Sequence, residues 1–178
     1  MNLQHQIKIL IRAATLYDLD DIIALRLGII HAYPSAFGGN PFEEANMERD
    51  EWQEWLLRRI EPQRTALFLA FQDKSLVGMI KIQARDTTLD IKHVADISDL
   101  GVLPEYTRRG IAVQLVNATL EFAAEQKIVR VQLEVWADNM PARELYKKMG
   151  FKEEGYFEKV SRNEDDEYRD SVVMAKIF

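Results

Sequence analysis

Apolar positions along the chain switch repeatedly between a period of two and a period near 3.6, and the switches mark out its elements. Residues 7–13 alternate, with Ile7, Ile9 and Ile11 on one face, and predict a first strand. Thr15 stands where an N-cap belongs, and Asp18, Asp20 and Asp21 supply an acidic first turn. From there Leu19, Ile22, Ile23, Leu25, Arg26, Ile29 and Ile30 carry a helical pattern to about Tyr33. A breaker-rich loop follows over 34–42 with Phe37 and Phe42, open to two readings: a specificity loop or a plain connection with both rings in the core. The spacing then predicts one helix over 43–60, acidic at its start and basic at Arg58 and Arg59, with Met47, Trp52, Trp55, Leu56 and Ile60 toward the core.

Residues 64–72 and 75–85 read as a hairpin turning at Asp73 and Lys74, with Gly78 marking either a bulge or a close contact. Residues 90–103 form a central strand. Ile111, Leu115, Ala118 and Phe122 define one face of a helix that reaches Gln126. Residues 130–136 alternate cleanly as a further strand. Residues 141–149 predict a short helix entered at Pro141 and stopped by Gly150. Two last strands, 154–161 and 168–178, flank a charged loop. No repeat or linker interrupts this order, so the expectation is a single α/β domain over 1–178 built on a mixed sheet.

Two segments carry the candidate chemistry. In Asp99-Leu100-Gly101-Val102-Leu103-Pro104-Glu105-Tyr106-Thr107-Arg108-Arg109-Gly110-Ile111-Ala112, Pro104 forbids continuation of the strand and a basic, glycine-containing turn opens the helix. A helix N-terminus presents unpaired N–H groups and about half a positive charge, so Arg108, Arg109 and the amides from Gly110 onward make a candidate anion socket. The second segment sets Leu133, Val135, Asn139, Ala142, Leu145, Tyr146, Gly150 and Phe151 at fixed intervals. Helical spacing places Tyr146 beside Ala142 and Met149, as a packed tyrosine whose hydroxyl needs a partner at the rim, and Asn139 where a helix cap belongs.

Together these segments resemble the GNAT acetyltransferases. The first matches the family's strand ending in Val-x-Pro, its Gln/Arg-x-x-Gly-x-Gly/Ala turn and the helix that follows, at Val102, Pro104, Gly110 and Ala112; Thr107 departs from the usual glutamine or arginine. The second matches the Asn-x-x-Ala-x-x-Leu-Tyr-x-x-x-Gly-Phe pattern at every named position. The order of elements agrees over 7–178, the first 85 residues by order alone. The resemblance implies a mostly antiparallel central sheet flanked by helices, with a splayed central strand pair. Acetyl-CoA is then expected in the gap where the strand ending at Val102 parts from the strand ending near Trp136. Leu100, Gly101 and Val102 would bind its pantetheine, Arg108, Arg109, Gly110, Ile111 and Ala112 its pyrophosphate, and Asn139 and Ala142 its arm. The implied reaction is direct acetyl transfer to a primary amine, whether a small amine, a polyamine or a protein amino group. Tyr146 would be the acid that protonates the departing sulfur.

Asp96 and Asp99 are unusual in a buried strand, because an ionised carboxylate there needs partners. On a regular strand they face opposite sides, and only a bulge would aim both into one cleft. Asp96 occupies the position where several family members carry an acidic base, so it and Asp99 are candidate bases beside the alternative of pairing with a nearby Lys or Arg. Glu134, His31 and His93 are further proton acceptors for which surface or packing roles compete.

Composition narrows the field. In 178 residues, 47% hydrophobic and 29% charged, a globular core forms and wholesale disorder is excluded. A net charge of −6 speaks against a general nucleic-acid binder. The absence of cysteine rules out a disulfide framework, a thiolate metal site and an acyl-cysteine intermediate. No His, Asp or Glu cluster has metal-ligand spacing, so no metal is expected. Without an apolar run of membrane length or a signal-like start, no membrane partner is expected and the cytoplasm is the expected compartment. Homodimerisation stays open. The rival readings are an acetyl-CoA-binding sensor without turnover and an unrelated α/β domain.

Overall fold

The computed structural model describes residues 8–36, 41–60, 63–85, 91–162 and 167–178. Its elements run β1 (Ile9–Ala13), α1 (Leu19–Ala32), α2 (Pro41–Ala45), α3 (Arg49–Ile60), β2 (Thr65–Gln72), β3 (Ser75–Ala84), β4 (Val94–Val102), α4 (Ile111–Glu125), β5 (Arg130–Trp136), α5 (Met140–Lys148), β6 (Lys152–Arg162) and β7 (Tyr168–Ile177). The strands make one sheet in the order β1-β2-β3-β4-β5-β7-β6, antiparallel at β1–β2, β5–β7 and β6–β7 and parallel at β4–β5. This is the mixed, mostly antiparallel α/β architecture expected from the sequence.

Two local outcomes differ from the sequence reading, and a third decides between two readings. The single helix expected over 43–60 is two helices, because the Asn46 amide donates to the Phe42 carbonyl at 2.6 Å and closes α2, while Glu51 accepts the Glu48 N–H at 2.7 Å and starts α3. Of the two readings left open for the 34–42 loop, Phe42, at 76% exposed, goes against a ring tucked into the core; Phe37 lies outside the described residues. The buried line of α4 runs through Ile111, Leu115, Val116, Thr119, Leu120 and Ala123, rotated from the expected Ala118 and Phe122.

The chain packs as two compact units, Met1–Lys81 with Asp99–Ala118, and Ile82–Ser98 with Thr119–Phe178. In the first, Ile22, Leu25 and Ile29 of α1, Trp52, Trp55 and Leu56 of α3, Leu67, Leu69 and Phe71 of β2, and Met79 of β3 form the core. Gly78 serves close approach: a Cβ there would lie 2.9 Å from the Gly101 carbonyl oxygen. In the second, the alternation of β5 buries Val131, Leu133 and Val135, with Tyr146, Phe151, Val172 and Met174 also buried.

β4 carries one irregularity. Arg85 N–H donates to the Val94 carbonyl at 2.8 Å and Leu103 N–H to the Val77 carbonyl at 3.0 Å; between these bonds β4 advances nine positions and β3 eight. The extra residue makes a bulge, and Asp99, with a left-handed φ of +56°, marks it.

Candidate functional site

After Val102 the chain leaves the sheet at Pro104, which opens a short 3-10 turn ending at Tyr106. The Thr107 hydroxyl donates to the Pro104 carbonyl at 2.8 Å, closing that turn. Arg108 and Gly110 both take left-handed φ, +59° and +77°, and α4 begins at Ile111. The first α4 amide with a partner in the preceding turn is Gln114, which donates to the Gly110 carbonyl at 3.1 Å. The amides from Arg108 to Val113 donate to nothing among the described residues. Left-handed residues alternating at a helix start aim successive N–H groups into one concavity, and the helix dipole adds positive potential there. A pyrophosphate needs such a cradle, and Gly110 keeps it open, since a Cβ built on it meets nothing within 4 Å.

The two arginines of this turn differ. Arg109 is built into it, donating to the Glu105 carbonyl at 2.7 Å and to the Gln72 side chain at 3.2 Å, with its guanidinium 5.1 Å from the Tyr106 ring centroid. Arg108 is exposed and makes no ion pair among the described residues, so it keeps its charge for a ligand.

Asp99 sits in a set of charges that sequence reading did not assemble. Arg26 of α1, 3% exposed, reaches Asp99 Oδ1 with Nη1 at 3.4 Å and grips Glu44 of α2 with Nε and Nη2, both at 2.8 Å. Arg59 of α3 reaches Asp99 Oδ2 with Nε at 3.2 Å, and its guanidinium lies 3.6 Å from the Trp55 ring centroid. Burial pushes Arg59 down from its ordinary range while Asp99 opposes the shift. The sequence signal for this set is Arg26 itself, a cation at helical spacing from Ile22 and Ile30 on the apolar face of α1.

In the second unit Asp96 takes Arg85 on both oxygens, Nε at 2.6 Å and Nη2 at 2.8 Å, and the Gln132 amide at 3.0 Å. Asp96 is thus held by Arg85 and Gln132, and Asp99 by Arg26 and Arg59. The parallel pairing of β4 with β5 covers Val94↔Arg130 to Asp96↔Gln132. Glu134 is exposed and accepts from the Ser171 hydroxyl, and His31 and His93 are on the surface.

Tyr146 is 7% exposed, with its ring edge-on to Phe151 at a centroid distance of 5.5 Å. Its hydroxyl has no hydrogen-bond partner among the described residues, and burial pushes its pKa well up. A phenol in this state is fully protonated at neutral pH and has a proton to give. Asn139 caps α5, its Oδ1 accepting the Ala142 N–H at 3.2 Å. The lysines of the last α5 turn and Gly150, at φ +89°, close the same helix.

The model of the Acetyltransferase (GNAT) family matches residues 27–151, a span that includes the turn, the bulge, Asn139 and Tyr146. The chain belongs to the GNAT acetyltransferase family. Among its relatives, an N-alpha-acetyltransferase of Sulfurisphaera tokodaii is 31% identical over 93% of this chain and 90% of its own. The L-amino acid N-acetyltransferase AaaT of Escherichia coli is 32% identical over 83% of this chain and 88% of its own. An uncharacterised N-acetyltransferase of Methanocaldococcus jannaschii is 29% identical over 80% of this chain, and the match spans 60% of that relative. A GNAT-family acetyltransferase structure from Streptococcus pneumoniae superposes with a TM-score of 0.83 at 24% identity, covering 96% of this chain and all of that one. A Salmonella typhimurium protein solved with its cofactor acetyl-CoA gives 0.79 at 14% identity over 96% of this chain and 94% of its own. This GNAT chain is accordingly an acetyl-CoA-dependent N-acetyltransferase, transferring to amines as a class. No helix among its described residues is long and apolar enough to cross a membrane.

Proposed function

We propose that the chain, acting as one domain, acetylates the α-amino group of a free amino acid or of a peptide N-terminus, by direct transfer in a ternary complex. The observation that carries the donor side is the row of unpartnered amides from Arg108 to Val113. The acceptor class is supported by relatives named for α-amino and amino-acid acetylation, at 31% and 32% identity.

Acetyl-CoA supplies an acyl group activated as a thioester. In this reading the amides of Gly110, Ile111 and Ala112 and the side chain of Arg108 hold the pyrophosphate, with Arg109 shaping the turn. The backbone of Leu100, Gly101 and Val102 aligns the pantetheine, and a Val102 N–H stabilises charge developing on the acyl oxygen, a contribution of about 3 kcal/mol at comparable sites. Asn139 and Ala142 contact the arm. Asp96 takes the proton of the incoming ammonium through a water; Arg85 and Gln132 occupy three of a carboxylate's roughly four acceptor positions and leave one for that water. As the new C–N bond forms and the C–S bond breaks, the Tyr146 hydroxyl delivers its proton to the sulfur.

The test is thiol release from acetyl-CoA, with product mass, over a panel of free amino acids, a short peptide with a free N-terminus, the same peptide N-terminally blocked with a free lysine, and spermidine. Turnover with the α-amines and none with the blocked peptide or spermidine is expected. Preference for spermidine or the lysine side chain would replace the α-amine reading. Tight acetyl-CoA binding with no thiol release over the whole panel would select the sensor.

A further inference from the structure

We infer that Arg26 and Arg59 are positioning residues which, through Asp99, hold the β4 bulge in the geometry that presents the Leu100–Val102 backbone to the acyl-CoA arm. The inference rests on the donor assignment above and reassigns Asp99 from candidate base to the anchor of that backbone.

Three observations converge on it. Asp99 holds a left-handed backbone, which is uncommon for residues with a side chain although Asp and Asn tolerate it best, and it does so one residue ahead of the stretch that is to meet the ligand. The constraint is visible at both carboxylate oxygens, each taken by an arginine from a different helix, Arg26 of α1 and Arg59 of α3. Neither arginine is free to swing. Arg26 is pinned by its fork on Glu44, and Arg59 by the Trp55 ring and by the Trp55 carbonyl, which accepts from Nη1 at 3.1 Å. On its far side the same stretch is fixed by Gly78, whose lack of a side chain lets the Gly101 carbonyl approach β3. The bulge is thus gripped from two helices, α1 and α3, with Glu44 of α2 bracing Arg26. A largely desolvated set of two cations and two anions, with Arg26 buried and the others partly so, costs desolvation that hydrophobic residues of equal volume would avoid, so its return is a fixed geometry rather than stability.

The experiment uses the full chain and two variants, Asp99→Asn, which keeps the shape and tolerance of left-handed φ but loses the charge, and Arg59→Gln, which leaves the more buried Arg26 in place in case its removal prevents folding. For each, kcat and KM for acetyl-CoA are measured across pH, and the affinity for adenosine 3′,5′-diphosphate, a coenzyme fragment lacking the arm, is measured by calorimetry. Both variants are expected to raise KM for acetyl-CoA about tenfold, with fragment affinity within about twofold of wild type and the shape of the kcat–pH profile unchanged. Unchanged KM in both variants overturns the inference, as does an equal loss of fragment affinity, which would mean general loosening. Loss of the acidic limb of the profile in Asp99→Asn, with Arg59→Gln at wild-type activity, would return Asp99 to the role of base. A wild-type chain that ignores acetyl-CoA would remove the donor assignment and the inference together; a fully active wild type with indifferent variants would remove the inference alone.

Discussion

Arg12 at the end of β1 grips Asp18 at the entry to α1 through both carboxylate oxygens, at 2.6 and 2.8 Å, and the same Asp18 accepts the Thr15 N–H at 2.8 Å and the Thr15 hydroxyl at 2.9 Å. Four donors converge on one nearly buried carboxylate and fix the angle at which the chain passes from strand to helix. The Arg12 guanidinium is the largest cause, and with the Thr15 donors it outweighs the opposing cost of burial and brings Asp18 down to about 2. A depressed carboxylate contributes stability above its unfolded pKa of about 3.9 and loses it as pH falls toward the folded value. Asp18→Asn should therefore cost about 1 to 2 kcal/mol at pH 7, a fall of several degrees in Tm for a chain of this length. The gap between variant and wild type should close between about pH 4 and pH 2. Urea unfolding at pH 7, 4 and 2.5 checks this, and a gap as wide at pH 2.5 as at pH 7 would assign the loss to packing instead.

Because Arg108 is exposed and Arg109 is tied to Gln72, Glu105 and Tyr106, the two arginines of the turn should separate on substitution. Arg108→Ala should weaken acetyl-CoA binding about tenfold, more at low salt than at high, and leave the unliganded Tm within about a degree. Arg109→Ala should lower the unliganded Tm as well, because the turn loses its brace. Calorimetric titration at two salt concentrations, beside thermal melts without ligand, distinguishes the two. Equal effects on binding and no effect of either on Tm would mean that Arg109 also faces the ligand.

How far the sequence could be read follows from what each feature depends on. Elements whose signals are local were legible: Pro141 and Gly150 bracket α5, and the alternation of 130–136 gives β5 its buried and open faces. The break between α2 and α3 was not, because it depends on the Asn46 side chain turning back to the Phe42 carbonyl, and an asparagine at that position is equally compatible with a continuous helix. The turn ahead of α4 was legible as a proline, an arginine pair and a glycine. The difference between Arg108 and Arg109 was not, since it depends on Gln72, 37 residues away in the chain. The Asp99 anchor stayed hidden for the same reason: its arginines lie 73 and 40 residues upstream. Sequence alone leaves a lone Asp in a strand open between a base and an ion-paired carboxylate until those partners are in view.

Tyr146→Phe removes one oxygen and leaves the ring against Phe151. Stability should stay within about 0.5 kcal/mol of wild type, because no hydrogen bond among the described residues is lost, while kcat falls about a hundredfold if the hydroxyl supplies the leaving-group proton. KM for acetyl-CoA should hardly move. Burial raises the Tyr146 pKa above its ordinary value, so its proton is retained through the alkaline range where the acceptor ammonium is losing its own. The activity of wild type should then rise with pH along the acceptor's titration, with no downturn from Tyr146 near its ordinary value of about 10. A kcat unchanged in the variant would leave the thiolate to depart unassisted.

Gly28 and Gly78 make a controlled comparison of crowding at the two sides of β4. A Cβ on Gly28 of α1 would meet the end of the Leu103 side chain at 3.0 Å, whereas one on Gly78 would meet the Gly101 carbonyl at 2.9 Å, Val102 at 3.1 Å and Leu115 at 3.2 Å. A leucine methyl can rotate away, and alanine is worth about 1 kcal/mol over glycine in a helix interior, so Gly28→Ala should be close to neutral in stability. A backbone carbonyl inside a sheet moves only with its strand. Gly78→Ala should therefore cost about 1 to 3 kcal/mol by overpacking and displace the Gly101 and Val102 backbone toward Leu115 or away from β3. If that backbone aligns the acyl-CoA arm, the variant should also raise KM for acetyl-CoA at a temperature where it is still fully folded, which Gly28→Ala should not. Thermal melts followed by kinetics at 15 °C check both, and a destabilised Gly78→Ala with wild-type KM would show that the C-terminal end of β4 supports the fold without guiding the ligand.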